Sequence, residues 1–144
     1  MKDALSEALR RLPHGPEFRF IDRLVDLEPG IRGTAEYTVR GDEPFLKGHF
    51  PGQPMMPGVL LIEAIAQLAG TIAQSDPRHR PLSDLKLTAI RAAKVLGTAA
   101  PGDRIALSAE VEGRLGSLVQ ARGSVEVGGN LIAQAEVVLA GDVD

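Results

Sequence analysis

Two residues of this 144-residue chain combine a titratable side chain with a setting in which it could move protons. His49 stands in the run Gly48-His-Phe-Pro-Gly52. Glu63 follows in Met56-Pro-Gly-Val-Leu-Leu-Ile-Glu63-Ala-Ile-Ala-Gln67 and is the one carboxylate of an otherwise apolar stretch. An imidazole titrates near neutrality, and taking a carboxylate out of water favours its protonated form. Together they could serve as base and acid beside a carbonyl group.

Each residue also has a plainer explanation. His49 could be a loop histidine bonded to backbone, and Glu63 could be paired with Gln67 one helical turn on. Gly58 adds a third element. At the start of a helix its N–H has no intrahelical partner and lies at the positive end of the helix dipole, so it can donate to a carbonyl gaining negative charge. The other histidines read differently. His79, in Asp76-Pro-Arg-His-Arg-Pro81, is expected in a solvated turn, and His14, between Leu12-Pro13 and Gly15-Pro16, in a turn or cap.

The elements that must position these groups follow from patterning. Residues 1–11 read as a short amphipathic helix. Two extended runs, Phe18 to Leu27 and Ile31 to Arg40, flank the turn signal Glu28-Pro-Gly30 and predict an antiparallel pair. From Gly41 to Pro57 the density of glycine and proline predicts a shaped loop with His49 in its middle. Gly58 to about Gln74 is apolar on every face and predicts a helix enclosed on all sides, with Pro57 at its start and Asp76-Pro77 at its end. Three alternating strands follow, at Arg104 to Glu112, Val119 to Val127 and Leu131 to Ala140, joined by hairpins at Leu115-Gly-Ser117 and Gly128-Gly-Asn130. Leu85 to about Val95 is a further candidate strand with weaker alternation. The sum is an α+β architecture, residues 1–144 as a single domain, in which an antiparallel β-sheet wraps around one long apolar central helix and a second copy covers what remains exposed.

Composition narrows the classes. The hydrophobic fraction is 44% and no cysteine is present, which removes disulfides, thiol nucleophiles and thiolate metal sites. Sixteen Lys and Arg against nineteen Asp and Glu leave a net charge of -3, and the basic residues are dispersed, against nucleic-acid binding. The N-terminus lacks the apolar core of a secretory signal, and the run from Val59 to Ala73 is too short and too polar to span a bilayer, so no membrane role and a cytoplasmic setting are expected.

His-Phe-Pro-Gly, Met-Pro-Gly-Val and Glu-Ala-x-Ala-Gln at this spacing resemble the β-hydroxyacyl-[acyl-carrier-protein] dehydratases of FabZ type, which have the hotdog fold. Leu12-Pro-His14 with Asp22-Arg23, and Pro101-Gly-Asp103, match in order and spacing, so the resemblance covers nearly the whole chain. It implies that His49 takes the Cα proton, that Glu63 is the acid assisting loss of the β-hydroxyl, and that Gly58 N–H holds the thioester oxygen. Val59, Phe50 and Gln67 would complete the substrate-binding set. The implied partners are an acyl carrier protein and a second copy, in a homodimer whose sites combine His49 of one subunit with Glu63 of the other; trimers of dimers are frequent in the family. No cofactor and no metal are implied. Glu at position 63 favours the plain dehydratase, since the relative that also isomerises the double bond carries Asp there.

Two departures bear on substrate range. The family's Leu-Pro-His-Arg-Tyr-Pro-Phe is here Leu12-Pro-His-Gly-Pro-Glu-Phe18, and its Lys-Phe-Arg-Arg-Pro-Val is here replaced by Lys94-Val-Leu-Gly-Thr-Ala-Ala100. Two other readings stand beside the dehydratase: a thioesterase on the same fold, and a non-catalytic acyl-chain-binding subunit. Arg78, Arg80, Lys86, Arg91 and Lys94 are candidates for docking an acidic carrier, against the plain alternative of scattered solubilising charge.

Overall fold

The computed structural model describes residues 2–10, 12–47 and 52–143, with side chains from Leu5 onward. The expectations for His49 and Phe50 therefore lie outside the described residues. An N-terminal helix, α1 (Lys2–Arg10), packs Leu5, Ala8 and Leu9 against the core. Strands β1 (Arg23–Glu28) and β2 (Arg32–Thr38) form the expected antiparallel pair. The central helix α2 (Gly58–Gln74) leads to β3 (Ser83–Val95), β4 (Arg104–Leu115), β5 (Leu118–Val127) and β6 (Asn130–Asp142). Among the described residues these strands form one six-stranded sheet of order β1-β2-β4-β5-β6-β3, every neighbour antiparallel.

The alternation in the last third of the sequence becomes one inward face. Ile105 and Leu107 of β4, Val119 and Val125 of β5, and Val137 and Leu139 of β6 are buried. They pack on α2, whose Leu61, Ala64, Ile65, Leu68, Ala69 and Ile72 have no exposed surface. A helix apolar on every face is stable only when enclosed in this way, since each large side chain taken out of water contributes roughly 1.5–3 kcal/mol. Helix and sheet approach closely at Gly123, where a Cβ would lie 2.6 Å from Ile65 Cγ2 and 2.6 Å from the Ser108 carbonyl. The α+β arrangement expected from patterning, a sheet wrapped around one long helix, is the one observed.

Two boundaries differ from the sequence expectation. Four strands follow α2 rather than three, because the weakly alternating segment is a full strand at the sheet edge. At the N-terminal side, β1 begins at Arg23 and not at Phe18; Pro16–Phe18 is a single 3-10 turn. The backbone from Phe18 to Phe20 finds its partner in a side chain, with Phe20 N–H donating to Gln67 Oε1 at 2.8 Å and Gln67 Nε2 donating to the Phe18 carbonyl at 2.8 Å. A buried backbone satisfied by a helix side chain needs no neighbouring strand.

Candidate active site

The described parts of the Gly41–Pro57 loop are held at both ends. Glu43 accepts from the Tyr37 hydroxyl at 2.7 Å and from the backbone N–H groups of Arg40 and Gly41. Burial pushes the Glu43 carboxyl up, but the Arg40 N–H, the Tyr37 hydroxyl and the Gly41 N–H outweigh it and hold the group below the ordinary carboxylate range. Burial, and then the bond to Glu43, push the Tyr37 phenol well above its ordinary value. The loop then makes one 3-10 turn, Pro44–Leu46, and returns to the core at Met56, which is 1% exposed and donates its N–H to the Ala99 carbonyl at 2.8 Å.

Pro57 then starts α2. No side chain caps the helix, and the Pro57 carbonyl accepts from Leu60 and Leu61. The N–H groups of Gly58 and Val59 precede the first intrahelical bond, which leaves two donors at the positive end of the dipole. The Val59 side chain is 76% exposed, and a Cβ on Gly58 would touch both γ-carbons of Val95 at 3.0 Å, so the helix entrance adjoins the end of β3.

Glu63 lies on a different side of the helix, facing a cavity of about 640 Å³. Ala66, Gln67, Gly70 and Gln74 continue this face, which runs about 16 Å along the axis. Small residues at 66 and 70 leave the room, and Leu82, Leu85 and Leu139 give the opposite wall its apolar character. A carboxyl group in a cavity that combines apolar walls with a few polar side chains suits a chain with a polar head.

The Glu63 side chain is 18% exposed. Gln67 Nε2 donates to its Oε2 at 3.1 Å, as the one-turn spacing allows. His14 Nε2 lies 3.3 Å from the same Oε2. His14 was expected in a turn; the structure places it beside the carboxylate, with its ring 6.0 Å from that of Phe18 and nearly parallel to it. The motif Leu12-Pro-His14 was the available signal, but nothing in its local pattern points to Glu63. His79, expected to be solvated, is half exposed and sets Nδ1 3.0 Å from Asp76 Oδ2. Among the described residues no group of three or more His, Cys, Asp or Glu is placed to hold a metal ion. No described helix is long and apolar enough to cross a membrane.

Comparison with known proteins adds to this geometry. Residues 12–136 match the family model described as a FabA-like domain. A 3-hydroxyacyl-[acyl-carrier-protein] dehydratase FabZ of Anaeromyxobacter sp. (strain Fw109-5) is 42% identical over 134 residues, 90% of this chain and 85% of that protein. The protein of the same name from Chloroflexus aggregans is 35% identical, covering 95% of this chain and 94% of its own length. Among solved structures, the dehydratase heterocomplex ApeI:P from Xenorhabdus doucetiae superposes with a TM-score of 0.80 at 16% identity, covering 95% of this chain and 91% of the matched chain. Zebra fish thioesterase superfamily member 2 superposes at 0.68 and 16% identity, over 93% and 91%. At such identities the likeness concerns the fold, which is the hotdog fold. The match over residues 12–136 and the identities above place this chain in the FabA-like family, among relatives named 3-hydroxyacyl-[acyl-carrier-protein] dehydratase FabZ.

Proposed function

We propose that this chain is a hydro-lyase that converts β-hydroxyacyl-[acyl-carrier-protein] thioesters to trans-2-enoyl thioesters, in fatty-acid synthesis or a specialised polyene or polyketide route. The observation that carries the reading is the Glu63 carboxyl group facing a cavity walled in part by Leu82, Leu85 and Leu139, in a chain that belongs to this family. His49 takes the proton from Cα, the electron pair forms the double bond, and the C–O bond breaks as Glu63 protonates the departing oxygen. The products are the enoyl thioester and one water; the proton left on His49 returns to Glu63 through solvent. Gly58 N–H donates to the thioester oxygen as enolate character builds, and Val59 and Phe50 are proposed to contact the substrate.

The site is assembled by two copies. Glu63 faces the cavity along α2, whereas Gly58 opens beside Val95 at the end of β3, which supports an oxyanion donor and an acid that serve different substrates. Val59, Ile90, Val95 and Leu96 are 49–76% exposed, beside the free edge of β3, and supply an apolar surface for a second copy to cover. Lys86, Arg91 and Lys94, exposed on β3 and without a described acidic partner, are the residues proposed to meet an acidic carrier, whereas Arg78 is drawn to Asp76. A cytoplasmic setting belongs to the same proposal.

Thioester hydrolysis is the second reading, because a thioesterase shares the fold. The test is turnover of a β-hydroxyacyl carrier thioester by wild type, Glu63→Gln and His49→Ala. Enoyl absorbance from wild type alone, falling at least about 100-fold in either variant, is expected. Free thiol release, or undiminished dehydration by folded variants, would overturn the assignment.

A further inference from the structure

We infer that His14 is a positioning residue which, together with Gln67, determines the oxygen from which Glu63 delivers its proton. The inference rests on the dehydratase reading and assigns a role that the reaction scheme leaves open.

Two nitrogen groups converge on one oxygen. Gln67 Nε2 reaches Oε2 of Glu63 at 3.1 Å and His14 Nε2 lies 3.3 Å from it, while no hydrogen bond from a described residue reaches Oε1. Gln67 cannot turn its amide around, because the Phe20 N–H needs the amide oxygen and the Phe18 carbonyl needs the nitrogen. The Gln67 hydrogen therefore always points at Oε2.

The tautomer of His14 follows from its other nitrogen. Nδ1 is buried and has no hydrogen-bond partner among the described residues. An orphaned buried N–H is rarer and more costly than an unused lone pair, so the ring proton belongs on Nε2, facing Glu63. With the Gln67 N–H donated to Oε2 and the His14 Nε2–H held 3.3 Å from it, an acid proton on that oxygen would meet hydrogens. It sits on Oε1, the oxygen left free for substrate. As Oε1 gives up its proton, negative charge spreads to Oε2, where both N–H groups receive it.

The ring is held for this task. It stacks on Phe18, and Arg19 Nη2 donates to the carbonyls of His14 and Leu12 at 3.3 and 3.4 Å. Phe18 serves twice, through its ring to His14 and through its carbonyl to Gln67. A distance of 3.3 Å is long for a hydrogen bond, and catalytic contacts commonly shorten only once substrate is bound.

The test compares His14→Ala, His14→Gln and His14→Asn with wild type in the dehydration assay, with melting temperatures measured alongside. Glutamine can place an N–H near the position of Nε2; asparagine reaches only that of Nδ1. Ala and Asn are expected to lower kcat about tenfold or more with KM nearly unchanged, while Gln recovers most of the rate. If Ala fails to fold, the Gln and Asn pair still decides. A wild-type kcat in His14→Ala, or equal losses in folded Gln and Asn variants, overturns the positioning role alone. A wild type that does not dehydrate overturns the functional reading and this inference together.

Discussion

The Gln67 amide is fully committed: its oxygen accepts from Phe20 N–H, and its nitrogen donates to the Phe18 carbonyl and to Glu63 Oε2. Gln67 is 2% exposed and Phe20 1%, so the Phe20 N–H has no access to water as a substitute. Gln67→Leu leaves the buried Phe20 N–H unpaired and should cost about 1–3 kcal/mol, read as a lower urea midpoint, and should release Glu63 as well. A residue that only met substrate would leave the midpoint where it was. The Glu63–Gln67 pair was legible in the sequence, because the two stand one helical turn apart. His14 was not. Its approach to Glu63 depends on Gln67 bonding the backbone of residues 18 and 20, a link between distant parts of the chain with no local periodicity to announce it.

At the scale of elements, β3 shows why one strand was hard to read. Its pairing with β6 shifts register between Ser83 and Lys86, between Leu87 and Ala89, and between Arg91 and Lys94. Alternation of partly buried and exposed residues runs only from Ser83 to Ile90, and from Arg91 to Val95 every residue is exposed, so the last part of the strand carries no inward face to read. Strands β4 to β6 were legible because their inward face stays in step over most of their length. Past the far end of α2 a different device works. Asp76 is buried against Gly30, where φ is +78° and a Cβ would lie 2.5 Å from the carboxylate. The Arg78 side chain and N–H, and then His79, hold the Asp76 carboxyl well below the usual range against the opposing effect of burial. A carboxyl depressed in the folded state stabilises above the unfolded value, near 4, and loses that contribution as pH falls through the folded value. Asp76→Asn should therefore destabilise by about 1–3 kcal/mol at pH 7, with the gap to wild type narrowing as pH is lowered from about 4. Urea midpoints at several pH values check this; a gap that does not change with pH would refute it.

At the scale of the molecule, α2 is buried from Leu61 to Ala73 apart from Glu63, yet its entrance is open beside exposed Val59, Val95 and Leu96. The wrapped sheet was legible from one all-apolar helix among alternating strands. The division of a site between two copies was implied only by resemblance, since a single sequence carries no signal for what faces it across an interface. The measurement that tests this central claim most directly mixes two inactive variants, His49→Ala and Glu63→Gln, by refolding them together. A dimer holding one of each has one site with both wild-type residues, so random pairing should restore about a quarter of the wild-type dehydration rate. Refolded wild type that is active beside a mixture that stays inactive would contradict a site shared between subunits.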